Sequence, residues 1–289
     1  SSVAITVKNN MSMTNFLPNI RVFGQNVEKP LFKDNFVGLN YSILSFKSKN
    51  RYLAFKMLKT INNDVDDKQL IEIHNRPYLI DHISKGNRFP ISLFLHNDPQ
   101  NMKGSKSIKE REKILSKCAA IFCVSKYIKS QFMEGLQLIR NHKVHVLYNG
   151  VNKKLKKFPK KKKEVLFVGR LVSEKGIELY VDVINSVASN HPDWSFGLIG
   201  SVRLGEENYN SYAKKLIKKF ENIGPQAKFF GFKNHCFVEK KMKTASIIVI
   251  PSIWQEPFGL VAAEAMSNGI AVIASKVGGI PEIIRRNGI

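Results

Sequence analysis

Hydrophobic positions along the chain follow two alternating rhythms. Short β-branched or aromatic runs predict buried strands, and longer stretches with apolar residues every third or fourth position predict helices. In the first half, strands are expected over residues 39–46, 70–74, 91–96, 120–124 and 144–147. Helices are expected over 52–61, 78–82 and 108–117, and from the N-cap Ser125 through 132. The opening Ser1-Ser-Val-Ala-Ile-Thr-Val7 is apolar and β-branched, and reads as one more strand. The second half restarts the alternation. Strands are expected over 164–168, 195–199, 227–230, 247–250 and 270–274. Helices are expected over 177–189, 209–220, 237–244, 258–268 and 280–286, with a turn at Gly278-Gly279.

Strand–helix alternation of this kind predicts an α/β fold with parallel sheets and helices on both faces. Two such runs predict two tandem Rossmann-like domains facing a cleft: residues 1–152, then a linker over 153–163, then 164–289. The linker is Lys153-Lys-Leu-Lys-Lys-Phe-Pro-Lys-Lys-Lys-Lys163, polar, broken by Pro159 and without period. Ligands of such sheets sit beyond the carboxyl ends of the strands, where His74, His96 and Ser125 fall.

Composition narrows the function classes. At 289 residues and 43% hydrophobic content the chain can bury two ordinary cores. No apolar run reaches the roughly 18 residues of a transmembrane helix. The three cysteines, Cys118, Cys123 and Cys236, form no C-x-x-C pair, which speaks against structural zinc or a disulfide framework and for reduced thiols in the cytoplasm. The net charge of +23 suits nucleic acid, an anionic membrane surface or phosphate-bearing substrates, and also fits plain lysine bias.

The chemistry concentrates in the second half. Gly169-Arg170-Leu-Val-Ser-Glu-Lys175-Gly176 follows a strand. Arg170, a planar fork, and Lys175, a point charge, can together neutralise a diphosphate; the alternative is a surface loop in which Arg170 pairs with Glu174. Pro251-Ser-Ile-Trp-Gln-Glu256-Pro-Phe-Gly-Leu-Val-Ala-Ala-Glu264 reads as strand end, loop and helix. The amides of Phe258, Gly259 and Leu260 are placed at the helix N-terminus, where an anion binds well. Glu256 lies at the mouth of that site and Glu264 about two turns into the helix; two carboxylates beside an anion site suit a ligand that is both phosphate and sugar. Against this stands a dipole-favouring acid at a helix start, plus a partly exposed helix glutamate. His96 is either structural or a cleft-facing functional group. There is no P-loop, no G-x-G-x-x-G, no H-E-x-x-H and no G-x-S-x-G.

In this order, the segments Val165-Leu-Phe-Val-Gly-Arg170, Lys175-Gly176, Pro251-Ser252, Glu256-Pro-Phe-Gly259, Glu264-Ala-Met266 and Gly278-Gly-Ile-Pro-Glu282 resemble the retaining glycosyltransferases of the GT-B fold, family four (group 1). Seven residues separate Glu256 from Glu264, as in that family's motif. His74-Asn-Arg-Pro77, His96-Asn-Asp98, Val124-Ser125 and Asn149-Gly-Val151 are similar to its less sharp features. The resemblance implies a metal-independent hexosyltransferase without cofactor, whose substrates are a nucleoside-diphosphate sugar and a hydroxyl acceptor. A cell-envelope glycan or glycolipid, such as lipopolysaccharide or exopolysaccharide, is the expected acceptor. Arg170 and Lys175 match the pair that binds the donor diphosphate and stabilises the leaving group. Glu256 matches the acid that contacts the donor sugar, with the amides of Phe258, Gly259 and Leu260 on phosphate or sugar oxygens. Glu264 matches the acid that holds the ribose, and His96 the histidine near sugar and acceptor.

The family's glycine-rich first loop has no counterpart after residues 1–7, and a segment that normally follows the Gly-Gly-Ile-Pro-Glu stretch is absent, so both ends read as truncated. A cytoplasmic protein is expected, with peripheral contact to anionic membrane at the inner face through the lysine-rich linker and Lys214-Lys215/Lys218-Lys219. Two other readings are a basic nucleic-acid-binding αβ protein, against which no reader motif is found, and a GT-B sugar-nucleotide epimerase or phosphorylase, which product analysis distinguishes.

Overall fold

The computed structural model describes residues 2–11, 20–28, 30–32, 35–40, 48–63, 68–137, 142–151, 157, 159–203, 205 and 208–285. The chain divides into two compact units, Ser1–Gly150 and Val151–Ile289.

The first unit contains α1 (Ser2–Met11), β1 (Val22–Gln25), β2 (Phe36–Leu39), α2 (Lys49–Asn62), β3 (Ile71–His74), α3 (Ile80–Ile83), β4 (Ile91–Leu95), α4 (Ile108–Lys117), β5 (Ala120–Cys123), α5 (Lys126–Met133) and β6 (Val144–Val146). Strands β3, β4, β5 and β6 form a parallel sheet in sequence order. Alternation places Ile71, Ile73, Leu93, Leu95, Ile121, Cys123 and Val144 on one buried face. On the other face the in-register residues His74, Phe94 and Phe122 stack, with ring centroids 4.6 and 4.7 Å apart. The helices are capped as their sequences predict. Ser107 and Glu110 close a capping box on α4, and Ser125 Oγ accepts from the Ile128 amide at 3.0 Å to start α5.

The second unit runs β7 (Lys162–Val168), α6 (Ile177–Val187), β8 (Ser195–Ile199), α7 (Ser211–Glu221), β9 (Ala227–Gly231), α8 (His235–Thr244), β10 (Ala245–Ile250), α9 (Leu260–Ser267), β11 (Ala271–Ala274) and α10 (Ile280–Ile284). Its five strands are all parallel, in the order β11-β10-β7-β8-β9. Both faces are buried, which is why the strands read as nearly continuous apolar runs. Phe167, Leu171, Ile177, Tyr180, Val181, Leu198, Leu216 and Phe220 fill one side. Leu166, Val238, Met242, Ile248, Ala262, Ala265, Val272 and Ile280 fill the other. Each fully buried large side chain contributes about 1.5–3 kcal/mol over leaving it in water.

Three expectations need correction. The strand expected at the start of the chain is not found: Ser2–Met11 is helical. Val3, Val7 and Met11 recur every fourth residue, and this helical stripe with Met11 buried outweighs the β-branched propensity. The parallel pair β1–β2, short and glycine-containing, was not expected. β7 begins at Lys162, two residues inside the run read as linker. Of the strand expected over 39–46, Leu39 ends β2, and 41–46 lie outside the described residues, as do most of 152–158.

Candidate functional site

In the second unit the chain winds outward from β7 in two directions, through β8 to β9 and through β10 to β11. The order reverses between β7 and β10, and loops leaving the carboxyl ends of strands on either side of such a point form a crevice where ligands of open α/β sheets bind. The Arg170–Gly176 loop follows β7 and the Pro251–Gly259 loop follows β10.

These two loops are joined backbone to backbone. The Ile253 amide donates to Glu174 O at 3.0 Å. Gly176 is left-handed, with φ 67°, and a Cβ on it would stand 1.8 Å from Pro251 O, so no other residue fits there without moving the loop. On its far side the Pro251–Gly259 loop is held by the Gly278-Gly279 turn. The Gly279 amide donates to Glu256 O at 2.7 Å, and the Gly278 amide donates to Gln255 Oε1 at 2.6 Å. A Cβ on Gly278 would meet Glu256 O at 2.1 Å.

This frame brings Lys175 and Glu256 into an ion pair through Nζ and Oε1. Ser252 Oγ donates to the same Oε1 at 2.7 Å. Glu256 is 9% exposed and Ser252 1% exposed. The Lys175 ammonium also lies 5.2 Å from the Trp254 ring centroid, a cation–π contact. A buried carboxylate beside a cation, at the mouth of the crevice, can accept hydroxyl hydrogen bonds while the cation faces an anion.

Arg170 stands differently. Its guanidinium is half exposed and its Nη2 pairs with Glu174 Oε2 at 3.2 Å, the surface pairing weighed above as the alternative. An exposed pair of this kind holds an arginine only weakly, so it remains available to an anion.

Helix α9 begins at Leu260, two residues later than expected, because Gly259 is the N-cap with φ 103°. The Phe258 and Gly259 amides therefore precede the helix, and Phe258 is buried at 4% exposure; Leu260 is the first helical residue. Glu264 lies at the fifth position of α9, nearer the N-terminus than two turns. Its carboxylate is 28% exposed and lies 3.9 Å from His235 Nδ1 on α8. Burial raises its pKa, His235 opposes that rise and Glu239 adds to it.

In the first unit His96 follows β4. It is buried, at 8% exposure, and its Nε2 lies 3.0 Å from His74 Nδ1. Burial, and secondarily His74, lower its pKa to about 4, so it is a neutral imidazole at pH 7. Asn75 sets its backbone: Oδ1 accepts from the His96 amide at 2.9 Å and from the Asn97 amide at 3.2 Å. Asn75 is left-handed at φ 55°. These supports were not predicted, although an asparagine after a strand and before Arg-Pro is a usable signal, since Asn tolerates that conformation. Likewise nothing in the spacing announced the Ser252 contact or the stacking of Trp254 on Lys175. Among the described residues no group of three or more His, Cys, Asp or Glu side chains could hold a metal ion, and no helix is long and apolar enough to cross a membrane.

Known proteins carry the same architecture. The chain is similar to an uncharacterized glycosyltransferase of Methanocaldococcus jannaschii, with 36% identity over 57% of this chain and 42% of that one. It is 30% identical to a lipopolysaccharide 1,2-N-acetylglucosaminetransferase of Salmonella typhimurium over 42% of this chain and 32% of that one. The chain thus spans less than half the length of these two curated relatives. The Anabaena protein HepE, solved in complex with UDP-glucose, superposes with a TM-score of 0.71 at 20% identity, over 97% of this chain and 78% of that one. A likeness at that level shows the fold, which is α/β with Rossmann-like parallel sheets of the GT-B kind. The family described as glycosyl transferases group 1 matches residues 151–288, a span that takes in nearly the whole of the second unit, Val151–Ile289.

Proposed function

We propose that this protein moves a sugar from a nucleoside-diphosphate sugar to a hydroxyl acceptor, with retention of anomeric configuration and without a metal. The observation that carries the reading is the part-buried Lys175–Glu256 ion pair at the point where the strand order reverses. Arg170 and Lys175 take the donor diphosphate and stabilise the charge that builds on it as the sugar leaves. Glu256 accepts hydrogen bonds from donor sugar hydroxyls, and the Gly259 and Leu260 amides, with that of Phe258, face phosphate or sugar oxygens. Glu264 holds the ribose, and its part-buried carboxylate suits a hydroxyl pair better than a free cation. The bond from the anomeric carbon to the diphosphate breaks, the bond to the acceptor oxygen forms on the same face, and the leaving phosphate takes the acceptor proton. His96, neutral at pH 7, is assigned to sugar and acceptor.

The relative named for lipopolysaccharide supports a cell-envelope glycan or glycolipid as acceptor, and HepE supports UDP-glucose as the first donor to try. Lys214, Lys215 and Lys218 line the exposed side of α7 and, with the basic run over 153–163, support a cytoplasmic protein peripheral to an anionic membrane. The decisive experiment is sugar transfer by Glu256→Ala: the reading requires loss of product, and full activity would sink it. Arg170→Ala and Lys175→Ala are expected to weaken UDP binding by calorimetry about tenfold or more, as for loss of a charge-assisted contact. Failure to sediment with anionic liposomes at low salt would remove the membrane contact.

A further inference from the structure

The frame that fixes Lys175 fixes one more residue. The residues on either side of Lys175 hold the residues on either side of Ser252: Glu174 O takes the Ile253 amide, and the Gly176 backbone lies against Pro251 O. Ser252 is thereby placed by main chain rather than by its own packing, and at 1% exposure its hydroxyl has no water to turn to. That hydroxyl has a single proton, and it goes to Glu256 Oε1 at 2.7 Å. Lys175 uses the same oxygen. Both internal donors therefore converge on Oε1, and no hydrogen bond among the described residues reaches Oε2.

We infer that Ser252 is a positioning residue for sugar transfer: it holds the Glu256 carboxylate rotated so that Oε2 is presented to the donor sugar. This rests on the donor-site reading above. Its consequence concerns the bound state. A diphosphate competes with Glu256 for the Lys175 ammonium, and when the ammonium turns to the phosphates Glu256 keeps one internal partner, the Ser252 hydroxyl. A carboxylate held by two donors in the free protein would, without Ser252, lose its fixed rotamer at the moment the sugar needs it. Misplacement of a contacting group by about 1 Å can cost on the order of 100-fold in rate.

The test is a mutant cycle on the full chain, reading consumption of UDP-glucose, or of GDP- or ADP-glucose where that is the donor turned over. Ser252→Ala is expected to lower kcat about 10- to 100-fold while UDP affinity by calorimetry stays within about twofold, because UDP carries no sugar for Glu256 to hold. Ser252→Thr, which keeps the hydroxyl, is expected to recover most of the rate. In a Glu256→Gln background, Ser252→Ala is expected to cost little more, since the group it positions is already gone. Multiplicative losses in the double variant, a parallel fall of UDP affinity, or no rescue by threonine with an unchanged melting temperature would each overturn the inference and leave the donor-site reading standing. Wild-type turnover by Glu256→Gln alone would instead bring down that reading, and this inference with it.

Discussion

His96 shows how much a single buried side chain can decide. Its imidazole is desolvated, and His74 adds a second unfavourable neighbour for a proton, so its pKa falls from 6.5 to about 4. The linkage sign follows. A histidine whose folded pKa is depressed contributes stability above its unfolded pKa, and that contribution is lost as pH falls toward the folded value. The protein is therefore expected to lose stability between about pH 6.5 and 4, and His96→Gln is expected to flatten that part of the curve. Urea midpoints measured across the range check it, and an equally steep acid limb in the variant would contradict it. Asn75 makes a second residue-scale case. Asn75→Ala removes the acceptor for two amides and leaves alanine at a positive φ, which together cost about 2–4 kcal/mol. Asn75→Gly relieves the backbone but not the amides, so it is expected to be the milder change in a denaturant titration.

At the scale of elements, what was legible divides by the range of the interaction that sets it. Strands β3, β4, β5 and β7–β11 were readable because parallel strands buried on both sides, or on one side against a full core, leave β-branched runs between polar breaks. α4 matched its expected bounds, with a serine, a glutamate three residues on and a polar face all local to the helix. α1 misled because its valines and isoleucine favour strands when packing is ignored. The start of α9 moved because Gly259 adopts φ 103°, a conformation fixed by the loop before it. The Arg170, Lys175, Glu256 and Glu264 spacing was visible as a motif, but the Lys175–Glu256 pair spans 81 residues and exists only through the sheet order. Gly176 is the element-scale hinge of that geometry, joining the β7 loop to α6 against Pro251 O. Gly176→Ala is expected to destabilise the protein by about 1–3 kcal/mol, the cost of an imposed left-handed residue and a displaced contact. It is also expected to weaken UDP binding, because it separates Lys175 from the loop bearing Glu256. A stable variant with unchanged UDP affinity would show that the two loops do not depend on this contact.

For the whole molecule, the sequence could place two αβ halves but could not rank the meanings of a +23 charge. Within the second unit the buried ends of lysine side chains are structural: Lys161 Nζ donates to Asn268 O at 2.8 Å and Lys243 O at 3.0 Å, and Lys241 is paired with Glu164 at 2.5 Å. The exposed remainder raises the potential over the surface and attracts any polyanion, a donor diphosphate included. Specific and diffuse attraction separate by salt and by substitution. UDP at about 100 times its Kd is expected to stabilise the folded chain by about 2.7 kcal/mol, a rise in melting temperature of about 5–10 °C for a domain of this size. Lys175→Ala is expected to remove about half of that rise or more at every salt concentration, since a tenfold weaker site keeps only about 1.4 kcal/mol and the lost contact is at the crevice. Replacing Lys214, Lys215 and Lys218 with glutamine should leave the rise intact at 0.3 M salt and reduce it only at low salt, where screening beyond about 10 Å is weak. An equal effect of both substitutions at high salt would mean that UDP is held by the surface field and not by the Lys175–Glu256 crevice.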